Sequence, residues 1–138
     1  MMTPKPNMSF KVNNLLTKKD LFKKICKRLR QLDLISSETQ VVNELMYRES
    51  LSDTRISEEC AMPHCQSEAI TDSKIIVVDC WDNPIGWENK NEKVTKIVFL
   101  LLAVNDNEAR LKEIRDFVRA LATGSFEFND LASFEMLD

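Results

Sequence analysis

His64 is the only imidazole among 138 residues, so any proton or group transfer by this side-chain type must run through a single ring. A lone histidine is more often structural than catalytic, and its surroundings have to decide. Ala61-Met62-Pro63-His64 sets it directly after a stiff proline, which pushes Met62 into extended geometry. His64 is therefore expected at the mouth of a strand, held by the scaffold yet able to face a cleft. An imidazole with one nitrogen unprotonated and the other fixed by a hydrogen bond is a nucleophile toward phosphorus. The phosphoramidate it forms is negatively charged, and a guanidinium suits its three oxygens because of its planar fork. Arg48 and Arg55 are the close candidates in sequence. From spacing alone Arg48 suits an ion pair with Glu44, one helical turn earlier, slightly better than a phosphate contact.

Cys60, His64, Cys65 and Cys80 are of the right types for zinc, but their spacing matches no common zinc module. Adjacent His64 and Cys65 would also point to opposite faces of an extended chain, so no metal site is expected. The four cysteines contain no Cys-x-x-Cys pair and fall in segments that read as regular structure, which fits a reduced, cytoplasmic protein. Trp81 and Trp87 bracket Asn83-Pro84 and could each offer a flat contact, although core packing beside a turn suits at least one of them better.

These residues need a scaffold, and the apolar pattern supplies one. Leu21, Phe22, Ile25, Cys26, Leu29 and Leu32 recur at helical spacing between Thr17 and Leu34, with Thr17 as the cap and Asp20 near the positive end. The other face of this helix holds Lys18, Lys19, Lys23, Lys24, Lys27, Arg28 and Arg30 and reads as a solvated surface rather than a docking patch. Ser37 and Gln40 open a second helix, with Val41, Val42, Leu45 and Met46 as its apolar face, ending near Arg48. Ser50 to Pro63 loses that period and reads as short extended pieces. Lys74 to Asp79 and Lys96 to Val104 are unbroken β-favouring runs, expected to be buried on both faces. Asn105 or Asp106 can cap a third helix through Leu121, stopped by Gly124, and a last short helix is expected over about Glu127 to Leu137.

The order predicts one α/β domain over residues 15–138, a mixed β-sheet covered by helices on both faces. Residues 1–14 read as an N-terminal tail or an edge strand. The net charge of −3 gives no global basic field, so nucleic acid is not expected as a direct partner. The longest apolar run, Ile97 to Val104, is too short to span a bilayer as a helix, and no secretory signal is visible in Met1 to Asn14.

The stretch Arg48-Glu49-Ser50, Thr54, Ile56 and Ala61-Met62-Pro63-His64 resembles the active-site segment of fructose- and mannitol-type enzyme IIA domains of the bacterial sugar phosphotransferase system. Pro84-Ile85, Trp87, Val94, the run Val98 to Val104 and the helix from Glu108 continue that resemblance in order and approximate spacing over Thr17 to Leu137. It implies a phosphohistidine carrier that accepts a phosphoryl group from the phosphocarrier HPr on His64 and donates it to an enzyme IIB, without membrane insertion of its own but with docking to a membrane permease complex. By the same resemblance Arg48 would steady the phosphoryl group, Thr54 would hydrogen-bond near the imidazole, and Nε2 would be phosphorylated with Nδ1 held by a backbone or hydroxyl partner. No metal or organic cofactor is implied. Arg55 and Glu58 stand where the family usually has glycines, and Cys65 replaces the common glycine after the histidine. Arg110 before Leu111 stands where a second histidine often occurs. Arg110 and Arg55 are thus further phosphate-stabilising candidates, and Arg110 cannot exchange a proton near neutral pH. That replacement somewhat favours the alternative, a regulatory enzyme IIA-like domain of a sugar-responsive transcription regulator without onward transfer.

Overall fold

The computed structural model describes residues 5–88, 91–131 and 133–137. In chain order these form β1 (Met8–Val12), α1 (Lys18–Gln31), α2 (Glu38–Leu51), β2 (Cys60–Ala61), β3 (His64–Ser67) and β4 (Lys74–Asp79). There follow β5 (Ile85–Gly86), β6 (Lys93–Val94), β7 (Lys96–Ala103), α3 (Glu108–Thr123), a single 3₁₀ turn at Phe128–Asp130 and β8 (Glu135–Leu137).

Local chemistry explains where the helices begin. Thr17 Oγ1 accepts from the Asp20 N–H while the Asp20 carboxylate accepts from the Thr17 N–H, a reciprocal cap that satisfies two donors at the start of α1. Ser37 and Asn107 cap α2 and α3 by accepting from Gln40 N–H and Arg110 N–H. Gly124 ends α3 at φ +80°, a left-handed angle that a side chain would resist.

The strands meet in the order β2-β7-β4-β1-β8, with β3 also on β7. β7 is antiparallel to β4 and parallel to β2 and β3, so the sheet is mixed. Alternation along β4 and β7 divides the core into two layers. Ile76, Val78, Ile97, Phe99 and Leu101 face α1 and α2, whereas Ile75, Val77, Val98 and Leu100 face Ile114, Phe117 and Ala120 of α3. Burial on both faces is why these two strands read as continuous apolar runs.

Three expectations need correction. The cap of α3 is Asn107 rather than Asn105 or Asp106, since the Asp106 carboxylate is taken by the Ser73 and Asn107 N–H groups. The strand in the first fourteen residues is not at an edge, because β1 lies between β4 and β8 and buries Phe10 and Val12. The closing segment is not a helix beyond the turn at Phe128–Asp130: Glu135–Leu137 pairs in parallel with Phe10–Val12 and takes the edge itself. A ladder supplied by a distant strand outweighs the local helical pattern there. Leu131 and Phe134 still pack on the α3 layer.

Phe22 is the joint between α1 and the sheet, fully buried with its ring edge-on to Trp87 at 6.0 Å and to Phe99 at 5.5 Å. Phe22→Ala should lower the unfolding free energy by about 3–5 kcal/mol in urea titration. A loss below about 1 kcal/mol would contradict this placement.

Candidate functional site

The site begins with an interruption in an edge strand. Residues 60–67 run beside β7 as β2 and β3, broken at Met62-Pro63, where proline has no N–H to give. The outer side of this segment folds against residues 54–56: Arg55 bridges Ala61, Ile56 N–H donates to the Cys60 carbonyl, and Met62 N–H donates to the Thr54 carbonyl at 2.9 Å. The Met62 carbonyl then turns to the side chain of His64, whose Nδ1 lies 3.1 Å away. A carbonyl can only accept, so Nδ1 carries the proton and Nε2 is left with its lone pair. The backbone partner expected for Nδ1 is thus the Met62 carbonyl.

Arg48 approaches from the last turn of α2. Its Nε–H donates to His64 Nε2 at 3.2 Å, and its Nη1 donates to the Ser52 carbonyl at 3.4 Å and the Ser52 hydroxyl at 3.2 Å. The pairing with Glu44 that spacing suggested does not form; Glu44 Oε1 accepts instead from Gln40 Nε2. His64 and Arg48 are both half-buried, a ring and a guanidinium held in place but open to an arriving group.

Thr54 does not reach the imidazole with its hydroxyl. That hydroxyl donates to the Glu49 carboxylate, at 2.9 Å from Oε1 and 2.7 Å from Oε2, and accepts from the Trp87 indole N–H at 2.9 Å. Lys18 Nζ completes the cluster at 2.8 Å from Glu49 Oε1 and 4.7 Å from the centre of the Trp87 ring. Thr54 touches the site only through its backbone, by way of Met62. Trp87 is a core residue, while Trp81 is exposed. Sequence assigned no role to Glu49 or Lys18 and read Trp87 only as a flat contact or core residue; the available signals were the place of Glu49 in the resembling segment and its helical spacing from Val42 and Leu45 on the buried face of α2.

The two further arginines are both paired with carboxylates. Arg55 is held by Asp53 at 2.7 Å and Glu92 at 2.8 Å, and its guanidinium keeps the Asp53 carboxyl below the usual carboxylate range. Arg110 lies 3.1 Å from Glu113 and 3.7 Å from Asp72. Each of the two cations is thus shared between two carboxylates. Among the described residues no group of three histidine, cysteine, aspartate or glutamate side chains could hold a metal.

The family model described as phosphoenolpyruvate-dependent sugar phosphotransferase system, EIIA 2, matches residues 5–132. The chain is 33% identical over 85 residues, 62% of its length, to the 2-O-alpha-mannosyl-D-glycerate-specific EIIABC component of Escherichia coli K12, and covers 13% of that protein. Its fold resembles the nitrogen regulatory protein IIA-Ntr of Neisseria meningitidis, with 21% identity, TM-score 0.66 and coverage of 84% of this chain and 79% of that one. It also resembles the Escherichia coli complex of enzyme IIA mannitol with phosphorylated enzyme IIB mannitol, with 19% identity, TM-score 0.57 and coverage of 82% and 81%.

The cysteine beside His64 offers a check that needs no relative. Burial pushes the Cys65 and Cys26 thiols up to about 12, and the same cause pushes Cys60 to about 11 and Cys80 to about 12, from 9.0. A thiol-disulfide dye at pH 8 should therefore label the native chain only as fast as it opens, and all four thiols at once in denaturant. Because the folded values are raised, this contribution to stability is complete below 9.0 and is lost as pH rises toward 12. Rapid labelling of native Cys65 would contradict the burial.

Proposed function

This chain belongs to the phosphoenolpyruvate-dependent sugar phosphotransferase system EIIA 2 family, and from that premise we propose that His64 is its phosphoryl carrier, accepting at Nε2 from phospho-HPr and donating to an enzyme IIB. The family's members are phosphotransferase components, and the finer assignment of the step to this ring is supported by one observation: Nδ1 is committed to the Met62 carbonyl while Nε2 faces Arg48.

The chemistry follows from that tautomer. Nε2 has no proton to lose, so acceptance needs no general base: its lone pair forms the new N–P bond as the donor's bond to phosphorus breaks and the donor nitrogen keeps that electron pair. Nδ1–H stays on the Met62 carbonyl throughout. The Arg48 Nε–H, which occupies the lone pair in the resting site, is placed to move onto a phosphoryl oxygen once phosphorus takes its position, and Ser52 holds the rest of the guanidinium. Donation to enzyme IIB reverses the step, again without a proton leaving Nδ1. A second histidine is therefore not required by the proton balance, and Arg110 in its place does not argue against onward transfer.

Enzyme IIB as the second partner is supported by the fold neighbour solved with phosphorylated enzyme IIB. No helix among the described residues is long and apolar enough to cross a membrane. The setting proposed is the cytoplasm, with docking to a membrane permease complex through its enzyme IIB portion.

Incubation with enzyme I, HPr and phosphoenolpyruvate should give an acid-labile phosphate on the wild-type chain and none on His64→Ala. Arg48→Ala should remain folded yet accept phosphate about 10²–10³ times more slowly, the usual cost of removing a charge-stabilising donor. Label that persists in His64→Ala would overturn the assignment.

A further inference from the structure

The polar cluster behind His64 contains a carboxylate whose side chain is only 3% exposed, and a buried charge needs a reason. Its hydrogen bonds run in one direction. An indole N–H can only donate, so Thr54 Oγ1 accepts from Trp87 and must spend its own proton on Glu49. Lys18, arriving from the first turn of α1, donates to Glu49 Oε1 and rests over the Trp87 ring, with the Glu88 carboxylate 3.7 Å away. Thr54 is thereby gripped from two sides, and its carbonyl holds the Met62 N–H. Met62 in turn passes its carbonyl to His64 Nδ1. Glu49 is also the helix neighbour of Arg48, the donor to Nε2.

We propose that Lys18 and Trp87 are positioning residues for the His64 imidazole, acting through the buried Glu49–Thr54 pair to hold the Met62 carbonyl on Nδ1. The inference rests on the phosphoryl-acceptor reading of His64 for its catalytic consequence, but not for its effect on the ring. An imidazole side chain without a fixed partner favours the Nε2–H tautomer in water, and a proton on Nε2 removes the nucleophile. Loosening Thr54 moves the Met62 carbonyl, and the tautomer is what responds. The cluster thus couples two distant elements, the start of α1 and the segment after β5, to the protonation of one ring atom.

Trp87→Phe removes the indole N–H and keeps a ring; Lys18→Met removes the ammonium and keeps most of the stem; Lys18→Arg restores a cation. With one histidine in the chain, long-range ¹⁵N NMR of uniformly labelled protein reads the His64 tautomer without assignment ambiguity. Wild type should show protonated Nδ1 and unprotonated Nε2 at pH 8. Trp87→Phe and Lys18→Met should both shift toward Nε2–H and accept phosphate from phospho-HPr about tenfold more slowly, as expected when a reacting group is misplaced from a distance. Lys18→Arg should return the wild-type tautomer. Variants that melt earlier yet keep the wild-type ring shifts would overturn the proposal, since a merely structural role predicts that pattern. Lys18→Met alone decides it if Trp87→Phe fails to fold. If wild type accepts no phosphate, the carrier reading fails, and the ring shifts still judge the positioning.

Discussion

A neutral imidazole offers its lone pair at one nitrogen only, and in this chain a backbone carbonyl decides which. Met62 can serve because its strand is interrupted. Proline at position 63 breaks the edge ladder beside β7, and the outward-facing carbonyl before it is left for a side chain instead of a neighbouring strand. A carbonyl partner is permanent and cannot change protonation, so the ring's orientation and its tautomer are fixed together. The rest of the site, the Arg48 fork on Nε2 and the buried cluster behind Thr54, has meaning only around that fixed ring.

The fold supports this with rigid parts on both sides. The Arg48 end of α2 and the Thr54 loop follow each other in sequence, and both are tied to Glu49, so the guanidinium and the Met62 carbonyl are referenced to one buried carboxylate. The α1–α2 layer packs on Ile76, Val78, Phe99 and Leu101, which places the whole assembly on a sheet buried from both sides. Close-packed interiors of this kind resist small shifts, and small shifts are what a phosphoryl acceptor cannot tolerate.

Much of this was legible in the residues. Strand β4 coincides with the apolar run Lys74 to Asp79, and the Thr17–Asp20 cap and the Gly124 stop lie where local chemistry put them. The proline before His64 announced a held histidine. What was not legible depended on partners far away in sequence. Glu135–Leu137 becomes a strand because Phe10–Val12 is available to pair with it. Lys18 looked like one more lysine on a solvated face until Glu49 and Trp87 came to meet it from 31 and 69 positions on, respectively. Spacing could link Arg48 to Glu44 but could not show that the helix end turns its guanidinium toward the loop; Arg55 and Arg110 carried the right charge, and spacing could not show that each meets two carboxylates.

The central claim is that the nitrogen opposite the Met62 carbonyl is the one that reacts. Phosphorylating the chain with enzyme I, HPr and phosphoenolpyruvate, then recording ³¹P–¹⁵N correlations on the histidine-labelled product, tests it directly. Phosphorus bonded to Nε2 of His64, with the proton still on Nδ1, is the expected result. Phosphorus on Nδ1 would contradict it, because that atom could not then be bound to the Met62 carbonyl.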